Sequence, residues 1–115
     1  MIKRIDVGSR MSEVAIFNGV AYFSGQVPDD AEQDIYGQLS QVLSSIDTLL
    51  TRVGSDKSRL LMVQIFLADM SDFTALNQVW DAWVLPGHTP PRATVQALLA
   101  RPEWKVEILV TAAVK

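Results

Sequence analysis

Val14-Ala15-Ile16-Phe17-Asn18-Gly19-Val20-Ala21-Tyr22-Phe23-Ser24 joins two apolar β-type runs through Asn-Gly. Both turn residues tolerate positive φ, which a two-residue hairpin turn needs in order to follow the twist of its strands. Residues 14–17 and 20–24 are therefore predicted as an antiparallel pair. Upstream, Ile2 to Val7 is predicted to add an edge strand.

Downstream, Ile35, Leu39, Val42, Leu43, Ile46, Leu49, Leu50 and Val53 recur at three- and four-residue steps. That spacing predicts one long helix with a single buried stripe. Asp30 with Gln33 is read as its N-cap pair and Gly54 as its stop. Leu60 to Leu67 is apolar on both faces and is predicted as a central strand. Ser71 is expected to cap a second helix carrying Phe73, Leu76, Val79, Trp80, Trp83 and Val84, with Pro86-Gly87 ending it. Two last strands follow, about Arg92 to Leu98 and Trp104 to Val114.

The order β-β-β-α-β-α-β-β implies an α+β fold, a mixed sheet with two helices packed on one face. The other face would carry Tyr22, Gln64 or Phe66, Val95 or Gln96, and Ile108 or Leu109. So much apolar surface predicts packing against further copies of the chain.

The chain has 115 residues, which predicts one domain over 1–115, large enough to bury roughly 65% of its unfolded surface. It contains no cysteine, which excludes thiolate chemistry and cysteine metal sites and fits a reducing, cytoplasmic setting. The N-terminal Lys3-Arg4 pair has no apolar run behind it, so no signal peptide and no membrane association are expected. Ten Lys+Arg stand against thirteen Asp+Glu, a net charge of −3 with no basic stripe. A nucleic-acid partner, whose binding rests on neutralising several phosphates, is disfavoured.

Several residues invite a chemical reading. Arg92 follows Pro90-Pro91, and Glu107 lies fifteen positions later in a second β-type run. If the two runs are neighbouring strands, a cation able to grip a carboxylate in two places and a carboxylate able to handle a water can face a single cavity. Taken singly, each is an ordinary surface residue of a strand. Gly25, after Ser24, permits close backbone approach to a ligand, and its N–H can donate to an anion. No Gly-x-Ser-x-Gly elbow is present, so Ser24 is not read as a nucleophile. Asn77 sits among apolar helix neighbours and needs a partner, unless it simply faces solvent. His88, the only histidine, has no ligand cluster around it, and Trp80, Trp83 and Trp104 read as core or interface.

Taken together, these stretches resemble the Rid family, the YjgF-like reactive-intermediate deaminases. The matching segments are Tyr22-Phe23-Ser24-Gly25-Gln26-Val27-Pro28, Ile65 to Phe73, Asn77, Pro91-Arg92-Ala93-Thr94-Val95 and Lys105-Val106-Glu107-Ile108, in the family's order over nearly the whole chain. The centre, Ala68-Asp69 through Trp80-Asp81-Ala82-Trp83, is similar to the short bacterial YoaB-like branch. The resemblance implies a chorismate-mutase-like fold and a homotrimer with clefts between subunits. It also implies hydrolysis of 2-imino acids, or their enamine tautomers, to 2-oxo acids and ammonia, without cofactor or metal. Arg92 and the Gly25 N–H would then hold the substrate carboxylate, Glu107 would position water, and Ser24, Asn77 and Thr94 would line or support the cleft. Met11 stands where the best-known members carry a tyrosine, and Thr94 where they carry a cysteine. A non-catalytic 2-oxo acid binding protein is the alternative on the same fold. A ribonuclease, another activity attached to relatives, is opposed by the charge balance.

Overall fold

The computed structural model describes residues 1–115. Six strands, β1 (Lys3–Val7), β2 (Ser12–Phe17), β3 (Val20–Phe23), β4 (Leu60–Leu67), β5 (Arg92–Gln96) and β6 (Val106–Ala113), form one sheet ordered β1-β2-β3-β6-β4-β5. Two helices, α1 (Ile35–Arg52) and α2 (Phe73–Trp83), complete the chain, so the predicted α+β order is met. All neighbouring strands are antiparallel except β4 and β5, which run parallel and are linked across α2. No helix is long and apolar enough to cross a membrane.

The hairpin forms as read. Asn18 and Gly19 adopt φ of 51° and 76°, and Phe17 pairs with Val20 to set the register of both strands. Strand β1 adds to the outer side of β2.

Helix α1 buries the whole predicted stripe from Ile35 to Leu50, and Val53 beyond its end. The stripe covers Val63, Ile65 and Leu67 of β4 and Val106, Ile108, Val110 and Ala112 of β6, all buried. Gly54, at φ 74°, follows the helix in the left-handed region as expected of its stop.

Both helix starts differ from expectation. Asp34, not Asp30, caps α1: its backbone is extended and its carboxylate accepts from the Gly37 N–H at 2.9 Å. Asp34 directly precedes the first stripe residue, so it alone can meet the open N–H groups of the first turn. Asp30 closes a separate turn, accepting from the Glu32 N–H and the Gln33 Nε2, each at 3.1 Å. Ser71 does not cap α2 either. It lies in a short 3₁₀ turn over Met70–Asp72, where the Asp69 carboxylate accepts from the Ser71 N–H at 2.9 Å.

One buried polar side chain braces the route to β6. Gln38 on α1 shares its two Nε2 hydrogens among the Ala31, Gln33 and Glu103 carbonyls, each at 3.1 Å, and accepts from the Lys105 N–H at 2.8 Å. Every hydrogen-bonding need of the amide is met, which removes the penalty of burying it.

Leu39 is fully buried at the centre of the stripe. Leu39→Ala is expected to lower stability by about 2–5 kcal/mol, the usual cost of lost contacts plus a residual cavity. Urea unfolding at one fixed protein concentration measures it, with the midpoint moving and the slope unchanged.

The face opposite the helices is bare in a single chain. It carries Tyr22 on β3, Gln64 and Phe66 on β4, Val95 on β5 and Leu109 on β6. Tyr22 and Val95 are 52% and 48% exposed, high values for apolar side chains at strand centres.

Candidate functional site

Past β3 the chain continues as a pairing segment that serves two strands. The Ser24 N–H donates to the Glu13 carbonyl at 2.9 Å on the β2 side. Gln26 then exchanges two backbone bonds with Ile108 of β6, at 2.8 and 3.0 Å. Gly25 lies between, and its N–H makes no hydrogen bond within the chain.

A cavity of about 460 Å³ opens beside this segment, lined by Glu13, Ser24, Gly25, Gln26, Trp104 and Glu107, with Met11 and Asp29 among the others. Glycine at 25 makes room for Glu107, because a Cβ there would overlap the Glu107 carboxylate and stand 2.9 Å from its Cδ. The missing side chain lets Glu107 lie directly against the backbone, next to the free Gly25 N–H. Ser24, Gly25 and Glu107 are thus brought together as expected.

Arg92 stands elsewhere. Its strand begins where the Pro91 carbonyl accepts from the Val63 N–H at 3.0 Å. Its Nη2 donates to Asn77 Oδ1 at 2.8 Å, and its guanidinium carbon lies 5.3 Å from the centre of the Trp80 ring. An amide acceptor and an aromatic face fix the plane of the guanidinium without neutralising it. No carboxylate lies within ion-pair distance of Arg92. Asn77 thereby finds the partner its setting demanded, and Trp80, read as core, is both buried and a platform for the cation. Thr94, two positions along the same strand, encloses its Oγ1 without a hydrogen-bond partner.

The expectation that Arg92 and Glu107 occupy neighbouring strands and one cavity is overturned for the single chain. β4 lies between β5 and β6. Arg92 pairs with Val63 and Thr94 with Ile65, both buried under the helices. Glu107 pairs with Phe66, whose side chain alternates to the other face. Cross-strand partners share a face, so Arg92 and Thr94 lie on the helix side and Glu107 on the bare side. The chain presents two separate groups: Arg92, Asn77 and Thr94 at the β5 edge, and Ser24, Gly25 and Glu107 around the cavity.

Glu13 and Gln26 are site residues that the sequence reading missed. Glu13 Oε1 accepts from the Ser24 Oγ at 3.1 Å and from the Gln26 Nε2 at 2.7 Å. A signal was present, because the Asn-Gly turn fixes the hairpin register and that register sets Glu13 opposite Ser24.

His88 is exposed, with Nδ1 3.3 Å from the Pro86 carbonyl. A second cavity of about 300 Å³ lies between α1 and α2, lined by Ser40, Ser44, Asp47, Lys57 and Trp83 among others, and contains none of the candidate residues. There Asp47 accepts from the Trp83 indole at 3.1 Å, and Lys57 donates to the Trp83 carbonyl at 2.8 Å.

Comparison with known proteins fits this geometry to a family. The model described as endoribonuclease L-PSP matches residues 1–114. A RutC family protein of Haemophilus ducreyi is 57% identical over 114 residues, covering 99% of this chain and 97% of the relative. The RutC family protein YoaB of Escherichia coli K12 is 49% identical over 113 residues, 98% of each chain. Among solved structures, a Neisseria meningitidis member of the YjgF protein family superposes with a TM-score of 0.96 at 45% identity, covering 100% of this chain and 96% of that one. With a match over nearly all its length, and with YoaB-like relatives of almost equal size, the chain belongs to the Rid (YjgF-like, endoribonuclease L-PSP) family.

Proposed function

We propose that this protein hydrolyses 2-imino acids, or their enamine tautomers, to 2-oxo acids and ammonia, in clefts formed between the subunits of a homotrimer. The observation that carries this reading is the incompleteness of each group alone. Arg92 is held rigidly by Asn77 and Trp80 yet has no carboxylate partner. Glu107 and the free Gly25 N–H line a cavity that has no lysine or arginine in its wall. A cleft uniting the β5 edge of one copy with the cavity of the next completes both, and the bare apolar face supplies a surface for association.

In such a cleft the guanidinium of Arg92 and the Gly25 N–H hold the substrate carboxylate. Glu107 takes a proton from water as the water oxygen bonds to the imine carbon, and the imine nitrogen gains a proton. Glu107 then returns its proton to the carbinolamine nitrogen, the C–N bond breaks to expel ammonia, and the hydroxyl proton passes to solvent to leave the 2-oxo acid. An imine is already electrophilic, so positioning and a general base, worth roughly 10²–10⁴-fold, suffice.

Met11 favours a second reading, binding without turnover, because its thioether in the cavity wall offers no donor to orient a ligand. The ribonuclease reading is opposed by that wall, where Glu13, Asp29 and Glu107 would repel a phosphate backbone.

The test generates imines with an amino-acid oxidase and traps them with semicarbazide. The protein is expected to lower the trapped signal, and light scattering is expected to give about 38 kDa, three times the 12.7 kDa chain. An unchanged trapping signal, with 2-oxo acid binding still present in calorimetry, selects the binding protein instead. A stable monomer removes the shared cleft.

A further inference from the structure

The geometry points to Glu13 as a positioning residue that turns the Ser24 hydroxyl into a pure acceptor, so that the cavity distinguishes the imine N–H of a substrate from the carbonyl oxygen of its product. This rests on the imine-hydrolase reading of the same cavity and adds a device that separates substrate from product.

A carboxylate offers only acceptors, so the 3.1 Å contact between Ser24 Oγ and Glu13 Oε1 commits the hydroxyl hydrogen to Glu13. The Gln26 Nε2 also lies 3.3 Å from Ser24 Oγ, the longest of its three contacts, and offers that oxygen at most a shared hydrogen. The same amide nitrogen donates to Glu13 Oε1 at 2.7 Å and to the Ser24 carbonyl at 3.0 Å, which locks the three side chains together. Gln26 is only 9% exposed, so the lock is largely shielded from water. What Ser24 Oγ retains for a ligand is acceptor capacity and no hydrogen.

Substrate and product differ at this point alone. The C=N–H of a 2-imino acid is a donor and becomes a better one when protonated, whereas the C=O of a 2-oxo acid only accepts. Facing an acceptor-only hydroxyl, the imine gains a hydrogen bond and the product oxygen meets lone-pair repulsion. The carboxylate anchor is common to both, so this contact is the one that can discriminate them and hasten product release.

The experiment reads the ratio of the 2-oxo acid inhibition constant to the KM of the matching imine, in wild type, Glu13→Gln, Glu13→Leu and Glu13→Ala. Glu13→Gln keeps an Oε1 that accepts from both Ser24 and Gln26, and its ratio is expected to stay at the wild-type value. Glu13→Leu and Glu13→Ala free the hydroxyl to donate, and their ratio is expected to fall about tenfold, in the range of one hydrogen bond. In a Ser24→Ala background the same substitutions should leave the ratio unchanged, a dependence that general loosening of the cavity would not produce. Calorimetry with the 2-oxo acid alone separates this inference from the catalytic one. A protein without turnover still supports it if Glu13→Leu tightens 2-oxo acid binding only when Ser24 is present. A ratio unmoved in Glu13→Leu and Glu13→Ala, or moved equally without Ser24, overturns it, as does a lack of 2-oxo acid binding in every variant.

Discussion

Arg92→Ala is expected to lower kcat/KM for imine hydrolysis by on the order of 10²–10³-fold, with most of the loss in KM. In the proposed cleft the guanidinium is the only side-chain cation on the substrate carboxylate. Removing one partner of a shielded, hydrogen-bonded charge pair typically costs roughly 2–5 kcal/mol. Arg92→Lys keeps the charge but loses the planar fork that lies over Trp80 and reaches Asn77, and should recover only part of the loss. The fold should tolerate both changes, since Arg92 carries no ion pair and its strand is an edge. Steady-state kinetics with coupled detection of ammonia measures the effect. Wild-type kcat/KM in Arg92→Ala would remove Arg92 from the site.

Gly25→Ala is expected to abolish most of the activity while leaving the protein folded. The added methyl would overlap the Glu107 carboxylate, the far end of a flexible side chain, so the strain is relieved when Glu107 swings away and not by backbone movement. The stability cost should therefore stay within about 1 kcal/mol, and Gly25 needs no left-handed backbone that alanine would resist. The catalytic cost is larger, because a displaced Glu107 no longer positions water, a contribution of roughly 10²–10⁴-fold. The decisive comparison is with Glu107→Ala. The single changes should lose similar activity, and the double variant should lose little more than either one. Additive losses would show that Gly25 acts through the substrate and not through Glu107.

Local periodicity made much of the fold legible. The Asn18-Gly19 turn fixed the hairpin, and eight residues of a helical stripe identified α1 together with the face it buries. The choice between Ile108 and Leu109 for the bare face is settled by the burial alternation along β6, which hides Val106 and Ile108 and turns Glu107 and Leu109 the other way. Caps were less legible. Asp30 and Asp34 both precede the stripe, and only the backbone at each decides which one meets the first turn. Least legible was strand order, because the parallel pairing of β4 with β5 is made at long range across α2. Placing Arg92 on the helix side required its pairing with Val63, which no local pattern specifies. The grouping of Ser24, Gly25 and Glu107, by contrast, was implied by the resemblance to the Rid family. The Glu13 contact was already implied by the hairpin register.

The sheet standing between Arg92 and Glu107 has an electrostatic consequence. Two opposite charges mounted on one flexible surface tend to neutralise each other, and a cation already paired is a poor grip for an anion. Here a layer of buried aliphatic side chains and hydrogen-bonded backbone separates them, one on each side. No rotation of either side chain can bring them into contact within one chain. Within one chain each charge is therefore left without an opposite partner, as the proposed intersubunit cleft requires.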